Sequence, residues 1–288
     1  MPDSHDQNFK NLILDYPRQA IELFAPEEAA HLDDSVLFTP IREEQLKDRL
    51  SDRFLELDIP LLLEWPDGRR EALLFVIEQQ TESSRFSVHK LARYSLSLAE
   101  LFETDRIVPV VVFLKTARHT PDAIALGNEF HDYLTFRYIR CVLPELPGER
   151  YLESPNLVAR LNLPNMHWPP DLKLAIYASA IRGLASLESN PDKRAKYTAF
   201  IDIYTDLDNN ERIFFEQHYQ QEVTTMAGFA ERFREQGLQQ GLQQGQHEAR
   251  LATARNLMLK TRMDDASIAD VTGLTESDIQ TLRSETRQ

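Results

Sequence analysis

Two carboxylates and an amide, Asp58, Glu78 and Gln80, are the strongest candidates for a reactive site in this sequence. They border two apolar runs, Leu57 to Trp65 and Ala72 to Gln80, joined by Pro66-Asp67-Gly68-Arg69-Arg70. An Asp-Gly step between two such runs predicts a β-hairpin. With Asp67-Gly68-Arg69 as a three-residue loop, the register sets Asp58 opposite Glu78. Directly opposed residues have Cβ atoms roughly 4.5–5.5 Å apart, where two carboxylates repel unless a cation lies between them. Gln80 shares the face of Glu78, as do Leu62, Leu74 and Val76, so the polar cluster sits at the edge of a buried sheet. A two-residue loop would instead pair Asp58 with Ile77. Two carboxylates with the backbone carbonyl of Gln79 suit Mg²⁺, which takes oxygen ligands and keeps several waters. Such an ion lowers the pKa of a bound water and stabilises charge on a phosphoryl oxygen. The competing reading has Asp58 and Glu78 as solvated strand ends paired with arginine or lysine.

The elements around the hairpin must hold these groups. Residues 6–25 predict a helix, with Phe9, Leu12, Ile13, Tyr16, Ala20, Leu23 and Phe24 at helical spacing and Pro17 set to kink or divide it. Residues 25–56 are polar, with short apolar islands that define no element. Residues 84–103 return to a helical period, with Phe86, Leu91, Tyr94, Leu98, Leu101 and Phe102 as the buried face. Ile107 to Lys115 predicts a strand covered on both faces, and Tyr133 to Leu143 a fourth strand. The order implies an α/β fold with a mixed central sheet flanked by helices. From Leu143 to Asp171 six prolines predict irregular chain. Residues 172–187, 193–207 and 211–233 read as helices. A Gln/Gly repeat with glycines at 237, 241 and 245 follows, then helices over 249–261 and 265–283, the latter broken near Thr272-Gly273-Leu274. The expected organisation is a core over 1–143, a Pro-rich connection and helical extension over 144–234, a spacer over 235–248 and a helical module over 249–288.

The 288 residues carry a net charge of −14 and a single cysteine, Cys141. One cysteine excludes an internal disulfide and a cysteine-based zinc site. The charge argues against a broad basic surface for nucleic acid, but leaves room for a local basic groove. No N-terminal signal pattern is evident, and the longest apolar run, Ile107 to Leu114, is too short to span a bilayer. A cytoplasmic protein with no membrane partner is expected.

Other candidates carry competing readings. Arg85, His89, Lys90 and Arg93 form either a phosphate-facing strip that positions a nucleic-acid backbone or a solvated helix face. Asp6 is expected as a helix N-cap, with a further acidic ligand as the alternative. The histidines lack zinc-ligand spacing, and there is no dinucleotide, Walker or nucleophile-elbow motif. Residues 264–283 resemble half of a helix-turn-helix, with Thr275 and Asp278 as a capping box. Glu276, Asp278 and Glu285 are a poor match for a major groove, so a packing or partner module is the favoured reading. The Gln/Gly repeat is either a flexible or marginally helical spacer or a close helix contact between subunits.

Asp58, the hairpin, Phe75-Val-Ile-Glu78-Gln-Gln80 and the following helix with Arg93-Tyr94 together resemble the PD-(D/E)XK nuclease superfamily. More narrowly, they are similar to the Rpn group of recombination-promoting nucleases, also named as transposases. His5-Asp6-Gln-Asn-Phe9-Lys10 resembles that group's opening helix. The tail, with its Gln/Gly repeat, Ala254-Arg-Asn-Leu and Ala266-Ser-Ile-Ala-Asp-Val-Thr-Gly-Leu-Thr-Glu, resembles its C-terminal region. The resemblance covers most of the chain and implies a restriction-endonuclease-like core. It further implies a metal-dependent DNA endonuclease with Asp58 and Glu78 as ligands of Mg²⁺ (or Mn²⁺ or Ca²⁺), and Gln80 where the superfamily usually has lysine. Arg85, Lys90 and Arg93 would then contact DNA phosphates with little sequence readout; a homo-oligomer through the C-terminal helices rests instead on the Gln/Gly repeat, whose glycines four apart fall near one line. Glutamine can hydrogen-bond the attacking water but brings no charge, and no separate three-carboxylate transposase site is evident. The alternative is a catalytically inactive relative acting as a protein-interaction or regulatory module. A glycosidase is disfavoured, because the two carboxylates share one hairpin with no aromatic sugar platform.

Overall fold

A computed structural model describes residues 3–41, 59–78, 86–116, 120–261 and 263–285. Contacts divide the chain into two units, residues 1–226 and 227–288. The first opens with helices α1 (Asp3–Asp15) and α2 (Pro17–Phe24), divided at Pro17 as expected, because proline fits the first position of a new helix and interrupts an existing one. Asp6 lies inside α1 rather than at its cap. A single helical turn, α3 (Pro26–Ala29), and strand β1 (Leu37–Pro40) follow in the stretch that the sequence left unassigned.

Strands β2 (Ile59–Glu64) and β3 (Arg70–Glu78) form the predicted hairpin. Its register differs from the expectation: Ile59 pairs with Phe75 and Glu64 with Arg70. The turn explains the difference. Trp65 carbonyl accepts from Gly68 N–H at 2.9 Å, and Trp65 N–H donates to Arg69 carbonyl at 3.0 Å, so the loop is Pro66-Asp67-Gly68. Pro66 presets the first turn position, Asp67 Oδ1 accepts from Arg69 N–H at 2.9 Å, and Gly68 takes φ 85°. A type I turn closed by a left-handed residue needs glycine at that third position, and Arg69 would be strained there. The loop therefore sits one residue earlier than predicted, and the cross-strand pairing moves by two.

Helix α4 (Val88–Phe102) then returns the chain to β4 (Ile107–Phe113), which pairs parallel with β3. Ser87 caps α4 by accepting from Lys90 N–H at 3.3 Å. The run predicted as one fourth strand is two. β6 (Asp132–Arg137) forms a separate two-stranded sheet with β5 (Ala123–Gly127), and β7 (Ile139–Val142) joins the main sheet parallel to β4. The main sheet is mixed and five-stranded, in the order β1-β2-β3-β4-β7. On one face Leu62, Leu74, Val111 and Phe113 pack with Val88, Leu91, Tyr94 and Leu98 of α4. On the other face Phe24 of α2 meets Phe75, ring centroids 6.3 Å apart. Each such fully buried side chain contributes roughly 1.5–3 kcal/mol through lost apolar exposure.

The Pro-rich connection is more ordered than predicted. Short 3₁₀ turns bracket helix α5 (Leu157–Leu161), which is wholly buried. Asn156 caps it and donates to Gln19 carbonyl at 2.8 Å, while Gln19 Oε1 accepts from Leu157 N–H at 2.7 Å. Helices α6 (Lys173–Leu187) and α7 (Pro191–Thr205) close this layer, and Phe9 of α1 packs on Phe200. The helix expected over 211–233 is interrupted at Tyr219, between α8 (Asn209–His218) and α9 (Gln220–Lys260). The Gln/Gly repeat lies within α9, so the chain is helical through it.

The second unit holds the rest of α9 with α10 (Asp265–Thr272) and α11 (Glu276–Glu285). Ala254, Ile268, Ala269, Leu274, Ile279 and Leu282 form its core. Gly273 ends α10 at φ 66°, and Thr275 and Asp278 make the predicted capping box, Asp278 N–H donating to Thr275 Oγ1 at 3.2 Å.

Candidate functional site

Glu78 is the last residue of β3, where its carbonyl accepts from Leu114 N–H at 2.9 Å and its Cα partner is Phe113. Alternation along β3 sets Glu78 on the face of Leu74 and Val76, the face covered by α4. Because β4 runs parallel to β3, α4 must start at the end of the sheet where β3 stops. The first turn of α4, with His89 and Lys90, therefore belongs to the same end as Glu78. In open α/β sheets the ends of parallel strands are where ligands are held.

Of the other predicted site residues, Asp58, Gln80 and Arg85 lie outside the described residues, as does the Gln79 carbonyl. Lys90 is half-buried, with its Nζ 5.6 Å from the centroid of the Tyr94 ring. Arg93, one turn further, is exposed. His89 is exposed as well, so the first turns of α4 present His89 and Arg93 to solvent. Among the described residues, no group of three or more histidine, cysteine, aspartate or glutamate side chains is gathered around one point.

The sheet adds a cation that the sequence reading missed. Arg140 of β7 pairs with Val111 of β4, whose partner on β3 is Val76, so Arg140 shares the sheet face of Glu78. Two inter-strand steps and two residues along the strand separate the two Cα atoms, on the order of 12 Å. Its guanidinium lies 5.6 Å from the Phe113 ring centroid and pairs with Asp122 at 3.6 Å and Glu145 at 3.8 Å. An arginine inside the apolar run Ile139-Arg140-Cys141-Val142 was the available signal. Cys141, on the opposite face, is buried, and burial pushes its thiol up to about 12.

A different polar cleft, of about 340 Å³, is lined by Glu28, His31, Leu32, Trp65, Arg69, Glu71 and Arg106. The Arg69 guanidinium stacks 3.8 Å from the Trp65 ring centroid. Burial, then the neighbouring Glu28, raises the Glu71 carboxyl above its ordinary value, against the opposing pull of Arg106, Arg69 and His31. Glu71 stands at the other end of β3, seven residues or roughly 23 Å from Glu78, so this cleft is separate from the predicted site.

Searches of protein-family models, curated proteins and solved structures returned no match to this chain. No described helix is long and apolar enough to cross a membrane.

Proposed function

We propose that the chain is a metal-dependent DNA endonuclease of the PD-(D/E)XK kind, similar to the Rpn group and acting in the cytoplasm. The observation that carries this reading is Glu78, a carboxylate ending a central strand beside a parallel crossover. Sequence adjacency supports Asp58 as its companion, since Asp58 is bonded to Ile59 and Ile59 is the partner of Phe75, three residues before Glu78. The described register lies two residues from the one on which direct opposition of Asp58 and Glu78 was expected, and Asp58 itself lies outside the described residues.

The oxygen donors suit Mg²⁺, Mn²⁺ or Ca²⁺, with Asp58 and Glu78 holding the ion. When bound, such an ion supplies an acidified water and neutralises charge on the phosphoryl group. Gln80 orients the attacking water through its side-chain amide. Arg85, Lys90 and Arg93 hold phosphates of the DNA backbone, which fixes position without reading bases. The water oxygen forms the new bond to phosphorus as the bond to the leaving sugar oxygen breaks, and the chain's part is to align the two.

A second reading, a catalytically inactive relative serving as an interaction or regulatory module, is favoured by the net charge of −14 and by Gln80 in the lysine position. Nicking of supercoiled plasmid with each of the three metals separates the two. The endonuclease reading expects metal-dependent nicking that Asp58→Ala and Glu78→Ala each abolish. Folded protein inert with all three metals would favour the inactive module.

A further inference from the structure

The three repeat glycines lie inside α9, and a Cβ added at Gly237, Gly241 or Gly245 would meet no heavy atom within 4 Å. Among the described residues, no packing requires glycine at these positions, although each costs a helix about 1 kcal/mol relative to alanine. Every described side chain from Glu231 to Arg250 is exposed, including Leu238 at 76% and Leu242 at 62%. A helix polar and open on all sides has little to hold it unless something covers one face.

We infer that a second copy of this chain covers that face, the two α9 helices running antiparallel and crossing at Gly241. At about 100° per residue, Gly237 and Gly245 fall within about 40° of the line through Gly241, and Arg234 and Glu248 within about 20° of it. Arg234 and Glu248 each stand seven residues from Gly241, about 10 Å along the helix in opposite directions. A two-fold axis through Gly241 therefore sets Arg234 of each copy against Glu248 of the other, twice. A parallel pair would set Arg234 against Arg234 and Glu248 against Glu248, so charge complementarity selects the antiparallel arrangement. Arg232 and Arg250, which the same axis would also bring level, fall on the far side of the helix. Gln244 Nε2 donates to Glu248 Oε1 at 3.2 Å, which holds that carboxylate beside the glycine line. Ala230 and Ala252 continue the small face at either end. Leu238, about 60° from the line, gains cover from the second copy. The interface is isologous and closes as a dimer. It does not depend on the metal-site reading.

Light scattering on size-exclusion fractions of the full chain, over a concentration series, tests this. Arg234→Glu and Glu248→Arg should each weaken the dimer at least about tenfold, because two attractive contacts become repulsive. The double variant Arg234→Glu/Glu248→Arg should restore it, and Gly241→Leu should abolish it by blocking close approach. Helicity by circular dichroism should be unchanged in the charge variants, since both residue types favour helix. A wild-type chain monomeric at every concentration, a dimer indifferent to either single reversal, or a double variant that stays dissociated would each overturn the antiparallel pairing.

Discussion

Asp15 shows how one carboxylate can tie sequence-distant elements together. Burial alone would raise its pKa, but hydrogen bonds from Lys196 at 2.8 Å and Tyr197 at 2.6 Å, with Lys193 nearby, hold it below the ordinary carboxylate value. A depressed folded-state pKa contributes stability that is present above the ordinary value and lost as pH falls through the folded one. Asp15→Asn should therefore destabilise the fold by about 1–3 kcal/mol at neutral pH and flatten the acid limb of its stability profile, read by urea denaturation at several pH values. Cys141 works in the other direction. Its thiol is raised from 9.0 to about 12 by burial, so it stays protonated in the fold. That contribution is complete below the ordinary thiol value and is lost as pH rises from there through about 12. Alkylation by iodoacetamide at pH 8 should be negligible for the native chain and rapid after denaturation; fast native labelling would contradict the buried assignment.

The hairpin shows what was legible in the elements and what was not. Asp67-Gly68 and the apolar runs on either side gave the hairpin itself, and Pro17 gave the division of the first helix. The register depended on which residue takes the left-handed conformation, and counting the loop from Asp67 rather than Pro66 moved every pair by two. Gly68→Val should consequently cost about 1–2 kcal/mol or more, since φ 85° suits only glycine. Glu103 is the converse case, ending α4 at φ 51° without being glycine. Glu103→Gly should raise stability by about 0.5 kcal/mol, the relief of left-handed strain exceeding the added unfolded-chain entropy. Both effects are measurable by thermal and denaturant unfolding. The division of residues 133–143 between two sheets was not legible, because an apolar run does not say which sheet it joins. Tyr138 marks the boundary, its hydroxyl donating to Pro121 carbonyl at 2.8 Å. Helix α5 was hidden for a similar reason. It spans five residues between Pro155 and Pro164, too short for a period, and its partners Gln19 and Glu22 lie far back in the sequence.

At the scale of the molecule, the mixed sheet expected from element order is present, and a five-stranded sheet with α4 on one face carries Glu78 at the end of its middle strand. The candidate site was legible as residue types, but the arrangement around it was not. Arg140 reaches that face only through the parallel pairing of β7 with β4, a contact with no local signature. The net charge of −14 opposes binding to DNA over the surface as a whole, so the proposed DNA binding needs Lys90 and Arg93 to act as a local patch. Replacing both with alanine should weaken DNA binding at low salt and reduce the salt dependence by up to about two phosphate contacts, measured by fluorescence anisotropy. Unchanged binding would remove them from the interface. Cleavage of supercoiled plasmid by the purified full chain with Mg²⁺, Mn²⁺ or Ca²⁺ decides whether the protein is an endonuclease. The prediction is metal-dependent conversion to nicked and linear DNA, lost in Glu78→Ala and in Asp58→Ala while both variants keep the wild-type fold. Cutting that survives both substitutions, or no cutting by folded protein with any of the metals, would contradict it.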